Sequence, residues 1–167
     1  FDLHREGGHS EFRILHYKDS TGAEIQTSLI ETIRNHPNID VYNNHFTIEI
    51  LTQHHLGQVV TRHTPGIECY GAYILDLQTR EVLTFLSRVT MMATGGIGCI
   101  YQTTTNPLVA TGDGIAMVAR AKGEIKGMEF VQFHPTALYH PGVRPSFLIT
   151  EAMRGYGGVL KTKDGKE

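Results

Sequence analysis

The segment VTMMATGGIG, residues 89–98, decides the fold class, because a short apolar run here enters a loop of small residues. The run over 89–93 predicts a β-strand. Glycine at 95 and 96 removes the Cβ atoms that would keep a ligand away from the backbone. In an open α/β sheet, ligands bind beyond the carboxyl ends of the strands. A tight turn after a strand explains the same pattern. The segment therefore predicts a strand that enters a loop, but it does not decide whether this loop binds a ligand.

Elements of both kinds surround this segment, so the sequence predicts a chain of mixed α and β structure. Apolar residues recur at helical spacing in several stretches, and short alternating runs bounded by turn residues indicate strands. The predicted helices are residues 23–34, 112–122 and 146–154. The predicted strands are residues 39–42, 46–52, 67–77 and 80–85, the last two forming a hairpin, and residues 128–136 are predicted to be strand-like or extended.

Composition excludes several classes of protein. The 167 residues are 40% hydrophobic and 19% charged, with a formal net charge of -2, so we expect no nucleic-acid partner. No apolar run approaches the roughly 20 residues of a membrane span. Two cysteines do not make a disulfide framework, and neither they nor the ten histidines show the spacing of a metal site, so no metal is expected. A reducing cytoplasm fits this cysteine usage.

The two ends of the sequence predict a piece of a longer protein. The chain begins at Phe1 and runs at once into a dense motif, and Asp164-Gly165 is a hairpin-turn signal close to the last residue. A chain of this length that forms one domain buries about 70% of its unfolded surface.

Four further motifs have the chemistry of a ligand site, each with a structural explanation beside it. Asp113, between two glycines, is predicted to cap the second helix and also to meet a polar ligand there. His134 between an aromatic residue and a proline suits a directed hydrogen bond to a carboxylate, although most lone histidines are structural. Glu151 and Arg154 have the spacing of a surface ion pair. Residues 5–10, REGGHS, suit either a small charged ligand or a solvated turn.

Taken in order, these motifs resemble the succinate dehydrogenase/fumarate reductase flavoprotein family. The matching stretches are ATGG at 93–96, TNP at 105–107, TGDG at 111–114, MEFVQFHPT at 128–136 and TEAMRG at 150–155. Within that family, REGGHS at 5–10 and YHP at 139–141 resemble the L-aspartate oxidases rather than the dicarboxylate enzymes. The resemblance covers essentially the whole chain. The family usually has a glutamate where this chain has Tyr156, and often a basic residue at Cys99.

The resemblance implies an α/β fold class: the returning half of a Rossmann-like FAD-binding domain over residues 1–130, without the N-terminal dinucleotide fingerprint, and the start of a capping domain over residues 131–167. It implies that FAD is bound non-covalently by Phe46, Thr47, Ala93, Thr94, Gly95, Gly96 and Asp113. The implied catalytic residues are Glu6, His134, Thr150, Glu151 and Arg154. Glu6 would lie near the substrate ammonium, since aspartate differs from succinate by that one group.

The function implied by the resemblance is FAD-dependent oxidation of L-aspartate to iminoaspartate. Hydride would leave the α-carbon for the flavin, with oxygen or fumarate as the final acceptor. The implied setting is NAD biosynthesis in the cytoplasm, with functional coupling to quinolinate synthase. Two alternatives stay open: a fumarate reductase or succinate dehydrogenase flavoprotein subunit, and an isolated, non-catalytic piece without flavin.

Overall fold

A computed structural model describes residues 2–5, 8–18 and 20–167. The strands are β1 (Asp2–His4), β2 (Ile14–His16), β3 (His45–Leu51), β4 (Gly71–Asp76) and β5 (Val82–Leu86). The helices are α1 (Thr21–Arg34), α2 (Asp113–Arg120) and α3 (Ala152–Gly155), with short 3₁₀ helices at Gln53–Leu56 and Gly98–Ile100. The chain forms two compact units: a first unit of Phe1–Val41, His134–Gly142 and Ser146–Glu167, and a second unit of Tyr42–Phe133 and Val143–Pro145.

The first unit contains the β1–β2 hairpin and the longest helix. The two strands pair antiparallel, with Asp2 opposite His16, and the REGGHS motif falls in the connection between them. Helix α1 confirms the predicted helix and begins two residues earlier. It ends before Pro37, as expected for residues that precede proline. The apolar side chains Ile25 and Leu29 are 49% and 56% exposed, so the described residues do not cover this face fully.

The second unit is built on a three-stranded antiparallel sheet in the order β3-β4-β5. The predicted β4–β5 hairpin is confirmed, with both strands shorter than the sequence indicated. Its turn is held by the Asp76 carboxylate, which accepts backbone hydrogen bonds from Gln78 at 2.8 Å and Thr79 at 3.3 Å. The bond from the Gln78 amide is the largest cause that lowers the pKa of Asp76 below its usual value.

Two predicted strands are wrong. Residues 39–42 lie in a loop, because the chain turns at Asn43 and at Asn44, which has a φ of +58°. Residues 89–93 do not form a strand: no strand among the described residues pairs with them, and a strand needs the ladder of a neighbour. Val89 and Met91 are accordingly 83% and 86% exposed. The loop of small residues is therefore present as predicted, but the strand predicted to lead into it is not formed within the described residues.

The C-terminal predictions also need correction. Residues 128–136 contain no strand, and the segment begins in a turn closed by the Phe130 amide, which donates to the Gly127 carbonyl at 3.0 Å. The helix expected over residues 146–154 is reduced to its last turn, α3. The reason is that Leu148 forms an isolated antiparallel bridge with Ala137, which holds the first half of that segment in extended pairing.

The core of the molecule is small. The described residues with buried apolar side chains are Ile50, Leu51, Val60, Ala72, Ala110 and Met117. The chain exposes 13458 Å², whereas a compact monomer of this mass exposes about 8,200 Å². The expectation that folding buries about 70% of the surface of the unfolded chain is therefore wrong, and the buried fraction is about half. Within the described ranges, no helix combines the length and apolarity needed to cross a membrane.

Met117 is the most buried of these side chains, with 3% of its surface exposed. We expect Met117→Ala to lower the free energy of unfolding by about 2–3 kcal/mol, because it removes buried methylene groups and leaves a cavity. Met91→Ala, at a site 86% exposed, is the matched control and should change it by less than about 0.5 kcal/mol. Urea denaturation measures both, and equal effects would show that Met117 is not part of the core.

Candidate functional site

The loop over residues 93–96 lies against the start of α2. The Gly112 amide donates a hydrogen bond to the Gly96 carbonyl at 3.2 Å. A Cβ atom built on Gly114 would lie 1.8 Å from the Thr94 hydroxyl oxygen, so Thr94 fills the space that this glycine leaves free. The ATGG and TGDG motifs, read as separate features of the sequence, therefore form one contact surface in the second unit.

Other glycines permit the same close approach on either side of this contact. Gly112 has a φ of +80°, which favours glycine, and a Cβ there would lie 2.8 Å from Ile97. A Cβ on Gly98 would lie 2.6 Å from the Asn106 side-chain oxygen. The Cys99 amide donates to the Ala110 carbonyl at 2.9 Å, which fastens the two segments together. We call residues 93–100 and 106–114 the glycine cradle.

Asp113 does not cap α2, contrary to the prediction. Gly112 occupies the N-cap position and Asp113 is the first helical residue. The Asp113 carboxylate accepts a hydrogen bond from the Thr111 hydroxyl at 2.9 Å, and the residue is exposed. A carboxylate in the first turn is favourable beside the positive end of the helix dipole. Its exposed oxygen remains able to accept a hydrogen bond from a ligand hydroxyl.

The cradle residues fit FAD. Ala93, Thr94, Gly95 and Gly96 are exposed and carry small or no side chains, so a flat ring system can approach their backbone. Asp113 adds an acceptor for a hydroxylated chain beside the free amides of a helix N-terminus.

Phe46 and Thr47 lie elsewhere in the second unit. They are on β3, opposite Leu75 and Ile74 of β4, and Phe46 is 47% exposed. Among the described residues, no hydrogen bond joins either of them to residues 93–96. Helix α2 reaches β3 at its other end, where Arg120 donates to the Glu49 carboxylate and, at 3.1 Å, to the Ile48 carbonyl. The structure thus brings five of the seven predicted FAD residues together.

The predicted substrate residues that the structure describes all lie in the first unit. The bridge between Ala137 and Leu148 is closed by hydrogen bonds from the Leu138 amide at 2.9 Å and the Ile149 amide at 3.3 Å. This pairing lays the His134 loop beside the segment that carries Thr150. His134 is half-buried and its Nδ1 lies 3.0 Å from the Thr136 carbonyl and 3.1 Å from the Thr136 amide. Both of these hydrogen bonds involve Nδ1, so the Nε2 of the ring keeps the capacity to bond a ligand.

Thr150, Glu151 and Arg154 occupy the turn of α3 and the residues before it. The Thr150 hydroxyl accepts a hydrogen bond from the Ala152 amide at 3.3 Å. The predicted ion pair is present: a terminal guanidinium nitrogen of Arg154 donates to the Glu151 carboxylate, with both side chains half-buried. The Nε atom of Arg154 is shielded from solvent and has no partner among the described residues.

A cleft of about 460 Å³ joins the REGGHS motif to Arg154 within the first unit. It is lined by Arg5, Gly8, His9, Phe12, Arg154, Gly155, Tyr156 and Gly157. The Arg5 guanidinium lies 5.4 Å from the centre of the Phe12 ring. Arg5, His9 and Tyr156 were not predicted as site residues, although charged groups beside paired glycines were the signal for the first two. Glu6 lies outside the described residues.

The chain is similar throughout to known flavoproteins. The family model of the FAD binding domain matches residues 1–167. The chain is 49% identical to L-aspartate oxidase 1 of Ralstonia nicotianae over 99% of this chain and 30% of that protein. It is 51% identical to chloroplastic L-aspartate oxidase 2-a of Nicotiana tabacum over 97% of this chain and 25% of that protein. A solved quinol-fumarate reductase with menaquinol molecules matches 98% of this chain and 26% of that one, with 32% identity and a TM-score of 0.77.

These comparisons confirm the fold class, a partial FAD-binding domain of mixed α and β structure. The chain spans about a quarter to a third of the length of the relatives that it matches. The match of the FAD binding domain covers every residue of the glycine cradle. The chain therefore belongs to the FAD binding domain family.

Proposed function

We propose that the protein carrying this chain is an L-aspartate oxidase, which converts L-aspartate to iminoaspartate with oxygen or fumarate as the electron acceptor. The observation that carries the proposal is the cleft in which the REGGHS motif meets Arg154, because it joins cationic groups to a motif that is typical of L-aspartate oxidases. About 50% identity to enzymes of that name supports it.

We assign FAD binding to the glycine cradle, through Ala93, Thr94, Gly95, Gly96 and Asp113, with Phe46 and Thr47 on β3 as further contacts. When bound, FAD accepts the electron pair that leaves the substrate. The role of the chain is to bind this group without a covalent bond and to present Asp113 to its hydroxyls. The proposed domains are residues 1–130 for FAD and residues 131–167 for the capping domain.

We assign substrate binding to the first unit. His134, through Nε2, and Thr150 would donate hydrogen bonds to a substrate carboxylate. Glu151 and Arg154 form the ion pair beside them, which fixes the orientation of the guanidinium. Glu6 would accept hydrogen bonds from the substrate ammonium. These residues orient the α-carbon of the substrate, and their charges complement the charges of the substrate.

The cellular setting is a further part of the proposal. Cys69 and Cys99 are free thiols, which fits a reducing compartment such as the cytoplasm. The chloroplastic relative from Nicotiana tabacum offers an organelle as the second setting. Iminoaspartate hydrolyses readily in water, so we propose that quinolinate synthase consumes it for NAD biosynthesis.

The test uses the intact protein that carries this chain. We expect a yellow preparation with about one FAD per chain that oxidises L-aspartate and leaves succinate unchanged. Oxidation of succinate without oxidation of aspartate would favour a fumarate reductase or succinate dehydrogenase flavoprotein subunit, the candidate supported by the quinol-fumarate reductase match. A colourless, inactive preparation would refute both and leave a non-catalytic protein.

A further inference from the structure

The cleft of about 460 Å³ in the first unit has a lining rich in nitrogen donors. Arg5, His9 and Arg154 contribute their side chains to it, and no described carboxylate lines it. The Nδ1 atom of His9 and the Nε atom of Arg154 are both shielded from solvent without a hydrogen-bond partner. Buried polar atoms in native structures are nearly always paired, so the Nε–H of Arg154 lacks an acceptor, and the Nδ1 of His9 lacks an acceptor in the tautomer in which it carries the proton.

We infer that Arg5, His9 and Arg154 bind one carboxylate of a dicarboxylate ligand in this cleft. The inference rests on the proposed function, which supplies a four-carbon dicarboxylate as the substrate, and adds Arg5 and His9 to its binding residues. A cleft of this volume lies within the range of small-molecule sites.

Carboxylate is the anion that best matches this arrangement. The guanidinium group of Arg154 is held by Glu151 through a terminal nitrogen, which leaves its Nε–H for a ligand. Arg5 is held over the Phe12 ring at 5.4 Å. Two planar guanidinium groups in fixed positions suit the paired oxygens of a carboxylate. His9 completes the set when Nδ1 carries the proton and donates it in a hydrogen bond.

The test measures binding of succinate, a dicarboxylate without an ammonium group, to the intact protein by isothermal titration calorimetry. We expect Arg5→Gln to raise the Kd for succinate at least about tenfold, and Arg5→Lys to raise it less. His9→Phe should weaken binding to a similar degree. His9→Asn should restore most of it, since the amide nitrogen of asparagine can replace Nδ1 as a donor.

Arg13→Gln is the matched control, because Arg13 is an exposed arginine of the same hairpin that does not line the cleft. It should leave the Kd for succinate unchanged, and the melting temperature of each variant shows whether it is folded. Binding of succinate by Arg5→Gln and His9→Phe within about twofold of the unmodified protein would overturn the inference, as would an absence of succinate binding to the unmodified protein. Inorganic phosphate that competes equally with succinate would overturn the choice of carboxylate.

The proposed function and this inference fail separately. If the unmodified protein does not oxidise aspartate but binds succinate through Arg5 and His9, the inference stands and the function is wrong. If it oxidises aspartate and Arg5→Gln binds succinate normally, the function stands and the inference is wrong.

Discussion

The Gly114→Ala variant of the intact protein is expected to retain less than about one tenth of the FAD bound by the unmodified protein, a loss of about 1.4 kcal/mol or more in binding. Gly114 is buried at the point where α2 meets the loop over residues 93–96. A Cβ atom at this position would lie 1.8 Å from the Thr94 hydroxyl oxygen. Two non-bonded atoms cannot lie this close together, so either the helix or the loop must move.

Rotation of the Thr94 side chain does not relieve the clash. The three atoms nearest to the new methyl group all belong to Thr94, and its Cβ, which rotation leaves in place, lies at 2.9 Å. The loop and α2 must therefore move apart, which changes the position of the small residues proposed to contact the cofactor relative to Asp113. Overpacking of this kind also lowers the free energy of unfolding, typically by about 1–3 kcal/mol.

Gly22→Ala is the matched control, since Gly22 is also in a helix but has no atom within 4 Å of a built Cβ. It should keep its FAD and gain up to about 1 kcal/mol in stability. A second variant tests the mechanism: Thr94→Gly removes every atom that clashes, so Gly114→Ala combined with Thr94→Gly should bind FAD as well as Thr94→Gly alone. FAD content measured by absorbance after gel filtration decides this. Full FAD in Gly114→Ala would exclude a cradle that depends on this contact.

The sequence predicted local structure well and pairing across the chain poorly. Helix α1 and the β4–β5 hairpin follow from periodicity and turn residues a few positions apart, so both were correct within a few residues. Residues 89–93 have the composition of a strand, but a strand also needs a neighbour that composition does not reveal. The segment around Leu148 failed for the opposite reason, because a partner at Ala137 overrides its helical pattern.

In the candidate site, too, the sequence predicted the local motifs but not the contacts between distant segments. The motifs were visible in the sequence, and the ordered set indicated the flavoprotein family without any structure. The contact between Thr94 and Gly114 could not be predicted, because nothing local connects a threonine in one loop to a glycine in a helix far along the chain. Nor could the cleft, in which Arg5 and His9 meet Arg154 from the other end of the chain. Such contacts depend on tertiary packing, which single-sequence patterns do not contain.

The second large effect is expected from Glu6→Gln. We expect kcat/KM for oxidation of L-aspartate to fall about 100-fold, which corresponds to about 2.7 kcal/mol, whereas reduction of fumarate with a dye as electron donor falls less than about threefold. Aspartate has an ammonium group that fumarate lacks, and a carboxylate proposed to lie near that group would stabilise its charge selectively. Glutamine keeps the shape of the side chain and removes its charge.

Glu11→Gln is the control for this variant, because Glu11 is an exposed acid in the same connection between β1 and β2. It should alter neither rate. Equal losses on aspartate and fumarate after Glu6→Gln would show that Glu6 supports the site as a whole and does not read the ammonium group.

Arg5 and Glu6 are neighbours in sequence, yet their variants should differ in a way that separates the two parts of the ligand. Aspartate and fumarate share two carboxylates, so loss of Arg5 should weaken both reactions. Only aspartate has the ammonium group, so loss of Glu6 should weaken one. A structural disturbance of the REGGHS connection would lower both rates in both variants. The ratio of the two activities, measured in each variant, therefore separates recognition of the ammonium group from effects common to both substrates, and the melting temperature of the Arg5 variant separates recognition of the carboxylate from simple damage to the hairpin.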